Sequence, residues 1–561
     1  MLRYSLALRS AASGIATNLI PAEAALLETS GFIHRVKVLN LPTKDMNSVS
    51  TLFKSLGVKQ FKKSPRWDYA YINFKTEEAA REAMQKLEGT QLRKNTIATE
   101  YSSISEEAFN KRHEDKRKEA SEILSNDSRT PAEKLADQVT PLYKIPYDEQ
   151  LKTKNKSGIK HIFKLKKEIA RLKDVSDEGK AQISWAFDHE NKPCKFLDPI
   201  ASPEINGYRT KCDFSIGTDL EGNKSVGFQL GLYRDGIISV LDPADCLNVP
   251  DTAKTIVKSV QDYIRFSEYD VYDKVSKQGV WRALTTKTQK SGDVMVVVQM
   301  NTETLSEEQV SKEKIKLADY LTNLKTPSNE KVNIKTILLQ IWNGVSNGMN
   351  EKATTEVLTG DGYVYEDLLG SKFRISNNAF FQINTPATEL LYSKCAEWCE
   401  IDSAKKTTVL DICCGTGTIG ISMAKKVDQV IGIDMVPEAI VDANFNAEMN
   451  GVSNVKYFAS KIEDKIDLLI KSNNEQVVAV LDPPRNGVHS TVIRALREST
   501  QIKKVIYISC DAKQAQPNFI GLCRPTSKRY LGTPFKPSRA ISVDLFPHTE
   551  HCELMVEFVR D

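Results

Sequence analysis

The sequence predicts an α/β chain of three folded parts: a ferredoxin-like N-terminal unit, a central α+β domain with an antiparallel sheet, and a C-terminal Rossmann-like domain. Strand and helix patterns alternate near the N-terminus, and the middle of the chain breaks into brief alternating runs between glycine turns. The last third holds near-continuous apolar strands, one of which ends in a glycine-rich turn. At 561 residues and 40% hydrophobic content, the chain exceeds what a single core organises.

Composition excludes several classes. Lys+Arg 77 against Asp+Glu 73 gives a net +4, too little to imply a nucleic-acid partner, so the distribution of charge matters more than its sum. The ten cysteines include the neighbours Cys413 and Cys414 and the CxxxC pair Cys395 and Cys399. They lack the paired CxxC spacing of a zinc site and read as reduced, mostly buried thiols, so no metal is expected. No run approaches the ~20 apolar residues that cross a bilayer, so no membrane association is expected.

Residues 1–30 stand apart. Met1 to Ile20 contain Arg3, Arg9 and three serines but no acidic residue, the composition of a mitochondrial transit peptide or of a disordered tail. Residues 31–102 follow as a β-α-β unit: Val36 to Leu41 as a strand, Met46 to Leu56 as a helix, Tyr69 to Phe74 as a second strand and Glu77 to Leu87 as a second helix. This unit resembles an RNA-recognition motif. Tyr69-Ala70-Tyr71-Ile72-Asn73-Phe74 matches the aromatic half of one signature, placing Tyr69 and Tyr71 as candidate base-stacking residues, while Lys37 occupies the second signature's stacking position. The alternative is a ferredoxin-like sheet packed on another surface.

Residues 103–180 read as a charged helical linker. Glu106 to Ser125 is mixed in sign, whereas Lys152 to Lys173 holds nine basic residues and one acidic residue, Glu168. Ile159, Ile162, Phe163, Ile169 and Leu172 recur at helical spacing and form a docking face; Lys160, Lys164, Lys167 and Arg171 lie opposite, as a solvated face or an anion contact. Residues 181–350 contain the runs Lys211 to Ile216, Val226 to Leu230 and Val294 to Met300, with a helix from Asp251 to Phe266. Arg209, Arg234, Arg282 and Lys287 are candidates for phosphate contact there.

Chemistry concentrates in residues 351–561. Val409 to Gly420 is a buried strand, a glycine-rich turn and a helix start, which brings a ligand close to backbone at Asp411, Cys413, Gly415, Gly417 and Thr418. Asp434, closing the next strand, supplies a carboxylate for a ribose. These letters fit NAD as well as S-adenosylmethionine. Val477 to Leu481 then leads into Asp482-Pro483-Pro484-Arg485, a strand-ending turn found in many S-adenosylmethionine-dependent methyltransferases, and Cys510 closes the strand from Val505 to Ser509.

Phe380 to Thr385, the Asp411 to Gly417 turn, Leu481 to Arg485, Ser509-Cys510 and Phe546 to Glu553 together resemble the RNA uracil-C5 methyltransferases. The likeness runs from about Ile205 to the end. It implies S-adenosylmethionine as cofactor, with Gln382, Asp434 and Asp482 around it, and tRNA as partner, methylated at the T-loop uridine, nucleotide 54. It also implies Cys510 as nucleophile and Glu553 as base, and no protein partner; Arg485 is a candidate for the uracil carbonyls or for the cofactor. The chemistry suits those groups. C5 of uracil is too weak a nucleophile unless a thiolate first adds at C6, and a base must then remove the C5 proton. Asp434 stands where bacterial relatives carry a longer glutamate, and Asp511-Ala512 where they tend to carry Asn-Pro. An NAD-dependent oxidoreductase and a catalytically idle tRNA-binding protein are the other readings these residues allow.

Overall fold

In a computed structural model, residues 32–560 are described apart from 44, 56–57, 59–60, 65–66, 75, 106, 109–110, 112–127, 189, 232–238, 274–275, 345, 347, 351, 402–403 and 466–475. The possible leader at 1–30, most of 106–125, and Arg234 lie outside the described residues. The chain forms two compact units, 1–125 and 126–561.

In the first unit, Phe32–Leu39 pairs antiparallel with Ala70–Phe74 on one side and with Ala98–Ser105 on the other. A lone bridge between Lys62 and Tyr71 extends the outer edge. Period-2 alternation sends Val36, Val38, Ala70 and Ile72 into a core with Val49 and Phe53 of helix Met46–Ser55 and Ala80 and Leu87 of helix Glu77–Leu87. The other face keeps Arg35, Lys37, Tyr69 and Tyr71.

The second unit contains two large sheets. The central one orders Thr354–Thr359, Ile334–Ile341, Val294–Met300, Trp281–Thr288, Lys211–Thr218, Lys224–Gln229 and Val240–Leu241. It is not wholly antiparallel, because Val294–Met300 and Ile334–Ile341 run parallel, joined by helix Glu307–Thr322. Its edge strand also lies past residue 350, so the central sheet reaches further along the chain than the 181–350 boundary. Both faces are covered: Val294, Val296 and Val298 join the helices Asp251–Phe266 and Glu307–Thr322, while Met295 and Val297 face the C-terminal domain. Burial on both faces explains the continuous apolar run Val294 to Val298.

The C-terminal sheet orders Val455–Ala459, Gln429–Asp434, Thr407–Ile412, Gln476–Leu481, Ile502–Ser509, Glu553–Val559, Lys536–Val543 and Lys195–Phe196. The first five strands are parallel. Glu553–Val559 then enters antiparallel to both neighbours, which brings its start to the edge where the parallel strands end.

The basic segment is a docked helix rather than a connection alone. Helix Tyr147–Ala170 lies on this sheet through Ile162, Leu165 and Ile169. Gly158 permits the close approach, since a Cβ there would stand 2.8 Å from Ser542 Oγ and 3.2 Å from Leu554 Cδ1. Phe163, expected in the docking face, is instead exposed and stacks on Phe196. The helix also buries Lys154, whose Nζ donates to Asp544 Oδ1 at 2.7 Å and to the Phe546 carbonyl at 2.9 Å. Among the described residues, no helix is long and apolar enough to cross a membrane.

Both members of the Lys154–Asp544 pair are almost fully buried, so removing one strands the other. Lys154→Met is expected to cost about 3–5 kcal/mol, read as a fall of several degrees in the thermal midpoint. Lys154→Met combined with Asp544→Leu should recover part of it; a single variant with an unchanged midpoint would contradict the role of the pair.

Candidate active site

The turn after Thr407–Ile412 is shaped by backbone that side chains rarely allow. Cys413, Gly415 and Gly417 have φ of 63°, 52° and 81°. At Gly417 a Cβ would meet Tyr457 Oη at 2.7 Å, whereas at Gly415 it would meet nothing within 4 Å and so points into open space. Two carboxylates brace the turn. Asp411 Oδ2 accepts from the Gly420 amide at 2.9 Å, and Asp434 accepts from the amides of Gly415 at 3.0 Å and Val436 at 2.9 Å.

A cleft opens beside the turn, lined in part by Gln382, Cys413, Gly415, Thr418 and Asp482. Asp411, Gly417 and Asp434 do not line it but hold the lining turn. Tyr392, Thr416 and Ile419 also line the cleft; Thr416 and Ile419 fall within the glycine-rich turn and helix start, whereas no motif in the sequence marks Tyr392. Gln382 Nε2 donates to Asp482 Oδ2 at 3.2 Å. Burial pushes the Asp482 carboxyl up to about 6, against that hydrogen bond, and pushes Asp411 up to about 7. Asp411 Oδ1 and Thr416 Oγ1 are buried with no partner among the described residues. Unpartnered polar atoms beside a backbone opening suit a polar ligand such as the amino-acid and nucleoside parts of S-adenosylmethionine.

Cys510 ends its strand at the same edge. The ladder matches Ser509 to Leu554, so the adjoining residues Cys510 and Glu553 are neighbours. The half-buried Cys510 thiol is pushed up to about 12 by burial, then by Glu553 and Asp482, with Arg485 pulling it down. Glu553 is 2% exposed, and its Oε2 has no partner among the described residues. Burial and then Asp482 hold its carboxyl well above the ordinary range, again against Arg485. Arg485 is exposed at the mouth.

The segment leading to Glu553 is fixed from several sides. Gln150 Oε1 accepts from the His548 amide at 2.9 Å, and Gln150 Nε2 lies 3.2 Å from His548 Nδ1. His548 Nε2 stands 2.9 Å from Asn206 Oδ1, which assigns Nε2 the proton and leaves Nδ1 to accept from Gln150. Tyr208 Oη donates to the Pro547 carbonyl at 3.0 Å, and Asn384 Nδ2 to the Leu545 carbonyl at 3.1 Å.

Two residues read as phosphate contacts serve packing instead. Lys287 is buried and donates to the carbonyls of Ser376, Asn377 and Ala379 at 2.7, 2.9 and 3.4 Å, bracing the loop that carries Gln382; burial pushes it down to about 7. Arg282 donates to the carbonyls of Trp342 and Ser346 and lies over the Tyr272 ring. Arg209 Nε donates to the Lys211 carbonyl. Tyr69 and Tyr71 belong to the other unit, where Trp67 stacks on Tyr69 at 4.9 Å and Tyr69 meets Tyr71 edge-on at 5.4 Å. Lys37 lies over Tyr69 and Arg35 over Tyr71.

A parallel sheet with a glycine turn, a strand-end carboxylate and a polar cleft beside them is the arrangement of a nucleoside-binding domain, and a methyltransferase-domain family model matches residues 403–501. The chain is an S-adenosylmethionine-dependent methyltransferase, which sets aside the NAD reading. It is 40% identical over 441 residues to tRNA (uracil-5-)-methyltransferase homolog A of Mus musculus, covering 77% of this chain and 70% of the relative. To homolog B of the same species it is 37% identical, covering 76% and 86%. The chain belongs to the tRNA (uracil-5-)-methyltransferase family. Its fold is similar to that of Pyrococcus abyssi tRNA (uracil-54, C5)-methyltransferase in complex with S-adenosyl-L-homocysteine, with TM-score 0.52 at 20% identity, covering 74% of this chain and 85% of that one.

The guanidinium of Arg485 favours the Cys510 thiolate, so Arg485→Met should move the pH profile of Cys510 alkylation upward. At pH 9 the iodoacetamide rate at that peptide, followed by mass spectrometry, should fall roughly three- to tenfold, tenfold corresponding to one pKa unit. An unmoved profile would remove Arg485 from the site.

Proposed function

We propose that the chain methylates C5 of a uridine in tRNA, at nucleotide 54 of the T loop, through a covalent adduct on Cys510. The observation that carries this reading is the meeting of Cys510 and Glu553 at one sheet edge beside the cofactor cleft. Bound in that cleft, S-adenosylmethionine supplies an electrophilic methyl group. Gln382 and Asp482 orient it, the Asp434-braced turn receives its nucleoside part, and Thr416 offers an unpartnered hydroxyl.

After the Cys510 thiol releases its proton to solvent, the thiolate sulfur bonds to C6 of the uracil, and the C5–C6 π electrons shift toward O4, which makes C5 nucleophilic. Arg485 at the mouth stabilises the thiolate and the charge that develops on the carbonyl oxygen. Once C5 carries the methyl group, Glu553 removes its remaining proton. Those electrons restore the C5–C6 double bond, and the C6–S bond breaks to return the thiolate. A buried carboxylate with a raised pKa is a stronger base for that step than a solvated one. The uridine must leave its stack to reach a half-buried thiol.

In the first unit, Trp67, Tyr69 and Tyr71 form one aromatic cluster with Arg35 and Lys37 over its rings, the residue types that stack on unpaired bases and pair with phosphate. This supports an auxiliary RNA contact.

With labelled S-adenosylmethionine and unmodified tRNA, the wild-type protein should label the T-loop uridine and Cys510→Ala should not. Glu553→Gln should accumulate a protein-RNA species stable to denaturing electrophoresis, because addition proceeds and release does not. Normal turnover by Cys510→Ala would sink the mechanism, and absence of transfer by the wild type would leave a tRNA-binding protein. Tyr69→Ala with Tyr71→Ala should weaken RNA affinity by about 1–3 kcal/mol for each base unstacked, measured by filter binding; unchanged affinity would assign that face to another surface.

A further inference from the structure

Helix Tyr147–Ala170 has a second face that the catalytic reading leaves unused. Lys152, Lys156, Lys160 and Lys164 follow one another at i,i+4, and Lys167 and Arg171 continue the series. All six are exposed. Neighbours at this spacing stand about 5–6 Å apart at Cβ, and like charges so placed destabilise a helix. Elsewhere the chain offsets such cations: Arg81 pairs with Glu77, Lys86 with Glu82 and Lys258 with Asp262, all at i,i+4. Of these six cations only Lys164 has a carboxylate partner among the described residues, Glu168 at 3.5 Å. Asp148 and Glu149, in the first turn, stand four and three residues before Lys152 but form no ion pair with it among the described residues. The row from Lys152 to Lys164 spans about 18 Å at 1.5 Å per residue.

The row passes beside the reactive edge. Helix Ala512–Cys523 starts two residues after Cys510 and packs along it. Gln516 Nε2 donates to the His161 carbonyl at 2.9 Å. Lys160, Lys164 and Lys513 all bear on the half-buried His161 imidazole, as does Asp511, the residue next to Cys510. Arg485 in turn acts on Asp511 and on His551. Positive charge therefore continues from the mouth of the site onto the outer face of the helix. The buried Lys154 and Gln150 anchor that helix, so its cations are held on a fixed ridge.

We infer that the exposed cation row of helix 147–170 is a docking surface for the phosphate backbone of the tRNA whose uridine enters the site. This rests on the tRNA reading above and assigns the part of the protein that holds the substrate's backbone. A polyanion fits because the row is uninterrupted, nearly unpaired and too regular to read one sequence: it positions without specifying.

The test uses the full-length protein carrying Lys156→Gln, Lys160→Gln and Lys164→Gln. Binding of unmodified tRNA is followed from 50 to 200 mM salt. Each phosphate that is no longer neutralised should flatten the slope of log K against log salt by roughly 0.7–0.9, so the triple variant should lose about 2 to 3 units of slope. KM for tRNA should rise at least tenfold while kcat, S-adenosylhomocysteine affinity and thermal midpoint hold. The equal change Lys258→Gln, Lys312→Gln and Lys316→Gln on other helices should leave the slope as it was. An unchanged slope in the row variant, an equal loss in the control, or loss of heparin binding with tRNA binding intact would each overturn the inference. Wild-type protein that transfers no methyl group would instead fault the catalytic reading.

Discussion

The site depends on one reversal of strand direction. Five parallel strands deliver Asp411, Asp434, Asp482 and Cys510 to one edge because that is where parallel strands end. A sixth parallel strand would have put its first residue at the opposite edge. Glu553–Val559 runs the other way between Ile502–Ser509 and Lys536–Val543, so its first residue falls beside Cys510. Since side chains alternate along a strand, a slip of one residue would turn Glu553 to the other face and replace it with Leu554 or Cys552.

That proximity sets the electrostatics. Asp482 and Glu553 both raise the Cys510 thiol, and Asp482 raises Glu553 as well, with exposed Arg485 opposing. A thiol pushed up to about 12 is almost wholly protonated at neutral pH, and a protonated thiol resists oxidation and alkylation. The resting pair is thus chemically quiet. Both groups move toward their reactive forms when positive charge approaches or a carboxyl beside them is neutralised, and each change follows from burial sharpening charge interactions.

Signals local in sequence were the legible ones. The turn from Asp411 to Gly417, the Asp482-Pro483-Pro484 strand end and Cys510 after an apolar strand mark themselves, because conformation and residue type coincide over a few positions. The parallel pair in the central sheet was not legible, since apolar strands of either direction look alike when both faces are buried. Edge strand Thr354–Thr359 fell on the wrong side of the assumed boundary because its partner, not its composition, assigns it. Lys287 shows the same limit. A lysine in a strand gives no sign that three carbonyls across a domain contact will enclose its ammonium.

Helix Tyr147–Ala170 was the hardest element to read, and the reason is physical. Its inner face mixes Ile162, Leu165 and Ile169 with Gln150 and Lys154, so hydrophobic periodicity covers only its second half. The partner of Lys154 is Asp544, 390 residues away, and no window on the sequence contains both. Once that pair is formed, the two faces have separate duties. Inward, Lys154 and Gln150 hold the segment from Asp544 to His548 and so fix where Glu553 enters the sheet. Outward, Lys152, Lys156, Lys160 and Lys167 have no carboxylate partner among the described residues and stand on a ridge whose position the inner contacts determine. A flexible basic linker would lose conformational entropy on engaging a polyanion, whereas a helix already fixed to the catalytic sheet presents its charges in register with the reactive thiol. Anchoring the helix and orienting the substrate then follow from the same buried contact.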